Sequence, residues 1–263
     1  MRYVSLQYLR AVAVISVLVL HSQDLFAAPL ATLPLLSEFG WIGVCLFFVI
    51  SGFIVAERIS RCASLGDYLT RRFMRVFPLY FLVTLIALLL TLATNQPFLT
   101  AAKTDSGMPF DPNWPVYVFK SLFLVPQDDW PLFAVGWSLE FEVVFYAIFG
   151  IAYFAAGPVT ARVVILCLAM AGLTGLTPGS AIAHPFMLYF FAGCLTRDLF
   201  HVARRPAIVL ALIVIGPSTW AWMNGLYGWN DIGWANFTVA SAIAFSALKH
   251  PTENLNRGDS CWS

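Results

Sequence analysis

A chain of 263 residues is long enough for one or two water-soluble domains, but its composition excludes them. Apolar residues make up 60% and charged residues 11%, against roughly 45–50% and 25% in an average soluble domain. The 15 Lys/Arg and 14 Asp/Glu cannot cover a globule of this size, and mean hydropathy is +0.78. Disorder is excluded by 23 Phe, 9 Trp and 9 Tyr, which would collapse any chain in water. A formal net charge of +1 leaves no electrostatic footprint for nucleic acid. What survives is an all-α, polytopic transmembrane helix bundle. The five cysteines show no CxxC spacing, so neither a metal site nor a disulfide framework is indicated.

Stretches free of Asp, Glu, Lys and Arg run over 11–23, 39–56, 76–102, 143–161, 163–196, 206–230 and 232–248. Crossing about 30 Å of hydrocarbon takes roughly 20 mostly apolar residues. Eight spans are therefore expected, near 10–29, 39–57, 77–95, 132–154, 160–177, 182–197, 207–224 and 232–248. Gly172, Gly175, Pro178 and Gly179 supply the turn between the fifth and sixth. The domain reading is a membrane domain over 1–248 and a polar tail over 249–263. Orientation follows from the positive-inside bias. With the N-terminus in the cytoplasm, thirteen Lys/Arg fall inside, and only Lys103 and Lys120 fall outside. The outer loop 96–131 carries Asp105, Asp111, Asp128 and Asp129 among Pro97, Pro109, Pro112, Pro115 and Pro126, with an interfacial segment expected at 114–125. Arg2, Arg10, the apolar core and Ala27–Ala31 imitate a secretory signal peptide. His21, Gln23 and Asp24 directly after that core fit a helix lining a polar cavity instead.

Several polar residues sit where hydrocarbon should not tolerate them. Arg10 and His21 are eleven steps apart, about three turns plus 20°, so both fall on one helix face about 16 Å apart. If Arg10 lies at the cytoplasmic interface, His21 lies near the midplane. There it is a base, a proton relay, a ligand or a hydrogen-bonded packing residue. Glu140 and Glu142 are about 200° apart on a helix and cannot share a face. Ser138, Glu142 and Tyr146 do share one. Glu142 is expected deep, facing a polar cavity or paired with His21 or an arginine; Glu140 is expected shallower, toward outer water. The inner loop 57–76 gathers Arg58, Arg61, Arg71, Arg72 and Arg75 around Glu57 and Asp67. Arg71 and Arg75 are i, i+4 neighbours able to fork a phosphate, but on sequence alone topology anchoring and lipid-phosphate contact are the favoured reading. Ser51-Gly52 in an aromatic-rich helix permits close helix approach or a local break.

Four stretches in order, LQYLRAVAVISVLVLH (6–21), GWIGVCLFFVISGFI (40–54), RRFMRVFPLYF (71–81) and WSLEFEVVFY (137–146), with a weaker HPFMLYFFAGCL (184–195), carry a resemblance. The chain resembles the membrane-bound acyltransferase-3 family, and within it the exopolysaccharide O-acetyltransferases. The family's arginine, ten residues, histidine motif falls on Arg10 and His21. Its Trp-Ser/Thr-Leu-x-x-Glu-x-x-Phe-Tyr motif falls on Trp137, Ser138, Leu139, Glu142, Phe145 and Tyr146, and its basic pair on Arg71 and Arg72. The resemblance implies an O-acyltransferase of the bacterial inner membrane with no permanently bound cofactor. Its donor would be acetyl-CoA or another acyl-CoA, and its acceptor a polysaccharide or lipid-linked glycan hydroxyl. On that reading His21, Arg10 and Glu142 are catalytic, Arg71, Arg72 and Arg75 hold the donor, and Trp137, Ser138, Tyr146 and Ser51 line the substrate site. The family usually has about ten spans, two more than counted here. The ending HPTENLNRGDSCWS (250–263) is read as a truncation or frameshift, with an inactive acyltransferase as one consequence. A proton-coupled transporter or flippase using His21 and Glu142 is the alternative from another class.

Overall fold

The computed structural model describes residues 4–22, 34–94, 113–127, 130–174, 176 and 181–202. Among the described residues every regular element is helical: α1 Val4–Ser22, α2 Pro34–Arg58 with a 3₁₀ turn at Ile59–Arg61, α3 Leu65–Thr94, α4 Trp114–Phe123, α5 Gly136–Leu173 and α6 Met187–Val202. Three stretches, Gly43–Arg61, Leu65–Thr94 and Gly136–Leu173, are long and apolar enough to cross a membrane, and Leu6–Val19 is a shorter apolar helix. The spans expected at 207–224 and 232–248, and the tail 249–263, lie outside the described residues.

Expected and observed elements differ in three places. α3 begins at Leu65, so most of the expected inner loop is helix, and Arg71, Arg72 and Arg75 lie on α3 itself. A basic, polar turn reads as a loop by hydropathy. The helix continues there because Ser64 Oγ accepts from the Asp67 N–H at 3.2 Å, and Asp67 in the first turn pairs with Arg71 one turn on. The expected interfacial segment is the helix α4, with Pro115 in its first turn. The expected fourth and fifth spans are two limbs of α5, joined without a loop. Gly157 adopts φ +88°, ψ 179°, a conformation open to glycine and strained for any side chain. Pro158 then starts the second limb with its φ already helical.

The helix contacts set the directions. α1 packs on α2, with Gly43 against the Ser16 side chain and the Ala13 carbonyl. α2 and α6 run parallel and cross at Gly52 and Gly193. A Cβ on either would stand 2.1 Å from a backbone carbonyl oxygen of the other helix, so only glycine permits this approach. The first limb of α5 runs antiparallel to α3, Gly136 lying against Tyr80 and Gly150 against Tyr68. The second limb returns antiparallel to α6, from the Arg162–Asp198 ion pair to the contact of Gly172 with Ala183 and His184.

An aromatic core fills the space between α2, α5 and α6. Phe145 stacks on Phe190 at 4.2 Å and Phe48 tilts against Phe190 at 4.7 Å, each such pair adding about 0.5–1.5 kcal/mol. One end of the bundle is tied by charges from three helices. Arg197 bonds Glu57 at 2.9 Å and Asp198 at 3.2 Å, Arg162 bonds Asp198 at 2.6 Å, and Arg61 reaches Glu57 at 3.5 Å. These partners are partly exposed, so each pair is worth about 0.2–1 kcal/mol. The network fixes which helix ends lie together.

Candidate active site

Ser51 on α2, Glu142 and Tyr146 on α5, and Arg72 on α3 meet between the helices. The Ser51 hydroxyl donates to Glu142 Oε1 at 2.5 Å, and the Tyr146 hydroxyl donates to the same oxygen. Tyr146 reaches it because i and i+4 share a helix face. Ser51 reaches it because the Gly52–Gly193 crossing draws α2 in. A carboxylate taking two hydroxyl donors on one oxygen is held in orientation, and its other oxygen makes no further hydrogen bond among the described residues.

Arg72 is buried, at 8% exposure. Its guanidinium carbon lies 5.4 Å from the Tyr146 ring centroid and 5.6 Å from that of Tyr68. Cation–π contact on two rings replaces part of its hydration. It has no ion pair among the described residues, and its Nε finds no hydrogen-bond partner there. The Tyr68 hydroxyl, fully buried, also lacks one. An interior cation without a counter-ion costs several kcal/mol, so this turn of α3 is an anion-seeking one. Read as part of an inner loop over 57–76, Tyr68 carries no signal in the sequence. On a helix it stands one turn before Arg72 on the same face.

The three arginines grouped by sequence separate in space. Arg71 turns back to Asp67, Nε to Oδ1, at 2.7 Å; Arg72 is interior; Arg75 is exposed. Trp137 packs edge-on to Trp130 and Phe141 and against Phe186, and the Ser138 hydroxyl donates to the Val135 carbonyl at 3.2 Å. Ser138 therefore bonds within its own helix turn rather than joining the Glu142 cluster.

Glu140 corrects the expected depths. At 4% exposure it is enclosed instead of reaching outer water. The cause is the cap built by α4: the Tyr80 hydroxyl donates to the Ser121 carbonyl at 2.6 Å, Ser121 Oγ accepts from Leu132 N–H and Gln127 Nε2, and the Tyr117 hydroxyl donates to the Trp130 carbonyl. Residues 114–127 and 130–132 thus fold down over the start of α5.

Arg10 and His21 both lie on α1, and α1 meets α2 where Ser16 and Ala13 close on Gly43. Glu142 meets Ser51 and Tyr146. Among the described residues no group of three or more His, Cys, Asp and Glu could hold a metal ion.

Known proteins add the chemistry that geometry leaves open. The exopolysaccharide production protein ExoZ of Rhizobium meliloti (strain 1021) is 29% identical over 187 residues, covering 65% of this chain and 54% of that protein. The acyltransferase MdmB of Streptomyces mycarofaciens is 29% identical over 156 residues, covering 58% of this chain and 39% of that protein. The chain thus spans about half the length, or less, of these curated relatives. No solved structure matches it. A family model described as an acyltransferase domain matches residues 3–255, nearly the whole chain, and the chain belongs to the acyltransferase-3 family.

Proposed function

We propose that the protein is an integral membrane O-acyltransferase that moves an acetyl or other small acyl group from acyl-CoA to a sugar hydroxyl of a polysaccharide or lipid-linked glycan. The observation that carries this reading is the buried Arg72, an unpaired interior cation among the described residues on the same level of an apolar bundle as a fixed carboxylate. CoA is polyanionic at its nucleotide end and thin and uncharged along its pantetheine arm. It suits an entrance with arginines and an apolar interior. The positive-inside count supports a cytoplasmic entrance, in keeping with the bacterial inner membrane that the family resemblance implies. The production of exopolysaccharide named for ExoZ favours a carbohydrate acceptor.

The chemistry balances with this chain's own residues. His21 accepts the proton of the acceptor hydroxyl as its oxygen attacks the thioester carbonyl carbon. The C–S bond breaks, an ester forms, and the proton passes to the departing thiolate to give CoA-SH. Transfer through an acyl-imidazole on His21 balances equally, with the hydroxyl attacking in a second step. Arg10 and Arg72 carry the donor's negative charge, and Glu142, held by Ser51 and Tyr146, orders the polar groups along its path.

The test is acyl transfer by purified protein from radiolabelled acetyl-CoA to a lipid-linked glycan. Wild type should transfer, and His21→Ala should insert normally yet lose about 10²–10⁴ in rate. Removing an imidazole from an apolar helix does not hinder insertion. Near-wild-type turnover by a correctly inserted His21→Ala protein would take His21 out of the mechanism.

A further inference from the structure

We infer that Glu140, enclosed between α3, α4 and α5, is a hydroxyl-recognising subsite for the sugar acceptor, with the Trp130–Trp137 pair as its aromatic wall and α4 as its cover. The inference rests on the carbohydrate-acceptor reading above and deepens it.

Glu140 stands on the opposite side of α5 from the candidate active site. It is about 200° round the helix from Glu142 and ~3 Å along it, so it faces α3 and α4 while Glu142 meets Ser51 of α2. Its side chain is 4% exposed. The Gln127 backbone N–H bonds the carboxyl and the Lys120 charge bears on it. No salt bridge reaches it among the described residues. Oε1 is fully buried and has no hydrogen-bond partner there. A buried acceptor left without a donor weakens the fold, and such an atom calls for a reason. A ligand hydroxyl supplies the missing donor.

The surroundings select the ligand class. Among the described residues no group of three His, Cys, Asp or Glu is assembled that could hold a metal ion. The polar neighbours of Glu140 are instead hydroxyl, amide and ammonium groups, from Tyr80, Ser121, Gln127 and Lys120. Trp137 lies one turn before Glu140 on the same helix. Its ring meets that of Trp130 edge-on at 6.0 Å, and Trp130 is 38% exposed. Aromatic faces beside a few placed polar groups suit a ligand with apolar C–H faces and a rim of hydroxyls, which describes a sugar ring.

The cover is held by bonds that such a ligand can exchange. The Tyr80 hydroxyl donates to the Ser121 carbonyl at 2.6 Å and the Tyr117 hydroxyl to the Trp130 carbonyl at 3.0 Å. Sugar hydroxyls offer the same donors and acceptors, so α4 can lift from Glu140 without leaving its partners unpaired.

The experiment compares Glu140→Gln and Glu140→Leu with wild type on the detergent-purified chain. The probes are radiolabelled neutral glucose and galactose oligosaccharides, followed by equilibrium dialysis. Acetyl-CoA binding and thermal unfolding are read separately. Glu140→Gln, which keeps a carbonyl acceptor, should weaken sugar binding about 10-fold, and Glu140→Leu about 100-fold, the range of a hydrogen bond to a charged group. Both should bind acetyl-CoA within about threefold of wild type. Glu140→Leu should melt at or above the wild-type temperature, by up to roughly 2–4 °C, because an unpartnered buried group has gone. A carboxyl with a merely structural role would lower it. Sugar binding by Glu140→Leu within about threefold of wild type would overturn the subsite, as would no binding of either probe by wild type. Failure of both variants to fold would overturn it too, since the carboxyl would then be holding the structure. A wild-type protein that binds sugar through Glu140 but transfers no acetyl group would remove the acyltransferase reading and leave the subsite standing. Transfer with sugar binding indifferent to Glu140 would do the reverse.

Discussion

Replacing Gly52 by Ala tests the link between the helix crossing and the candidate site. A Cβ there stands 2.1 Å from the Phe190 carbonyl oxygen and 2.9 Å from its carbon. These are backbone atoms, so no rotamer change relieves the clash. Restoring the 3.4 Å of an ordinary contact parts α2 from α6 by about 1.3 Å. Overpacking of this kind typically costs 1–3 kcal/mol, and the 4.7 Å Phe48–Phe190 contact opens with it. Ser51 is the neighbouring residue, and its 2.5 Å bond to Glu142 passes out of hydrogen-bond range if α2 takes the displacement. The expected result is a loss of about 1–3 kcal/mol in an SDS-titration unfolding assay, with a fall of roughly 10²-fold in acyl transfer. Gly193→Ala meets the Val49 carbonyl oxygen at the same 2.1 Å and should destabilise equally. Gly66→Ala, whose Cβ would have only Ser64 Oγ at 3.8 Å nearby, should do neither. A Gly52→Ala protein within 0.5 kcal/mol of wild type, the scale of an ordinary surface change, would refute the close crossing.

Other outcomes follow from the same geometry. Arg72→Gln should weaken CoA binding about 10- to 100-fold, the equivalent of about 1.5–3 kcal/mol for a charged hydrogen bond. Arg71→Gln, tied as it is to Asp67, should change binding less than threefold by titration calorimetry; equal losses would return both to a general electrostatic role. Ser51→Ala and Tyr146→Phe remove donors to one carboxylate oxygen, so a double-mutant cycle should show coupling of about 0.5–3 kcal/mol, and strict additivity would mean that they do not share Glu142. Cysteines introduced at Ser64 and Ser106 in a Cys-free background should label from opposite sides of the membrane; labelling from one side would overturn the orientation.

Hydropathy and punctuation made much of the fold legible. The gap between the fourth and fifth expected spans, 155–159, falls where the structure breaks, at Gly157-Pro158. The i, i+4 pairing of Glu142 with Tyr146 was readable from helix periodicity alone. Ser51 was noticed for its glycine neighbour, and that glycine is what brings it to Glu142. The start of α3 was not legible, since a charged, amphipathic helix end and a basic loop have the same composition. Glu140 was misjudged for a different reason. Its burial comes from α4 with residues 125–127 and 130–132 folding over it, and no spacing within α5 encodes that tertiary cover.

The depth of the arginine and histidine shows where periodicity stops informing. Spacing gives an angle and a rise, so it correctly puts Arg10 and His21 on one face about 16 Å apart. It gives no origin. That comes from packing between helices, here from Ser16 and Ala13 closing on Gly43, and small residues are what allow such a register. No spacing within α1 encodes that contact, so the face shared by Arg10 and His21 is legible in the sequence and their depth is not.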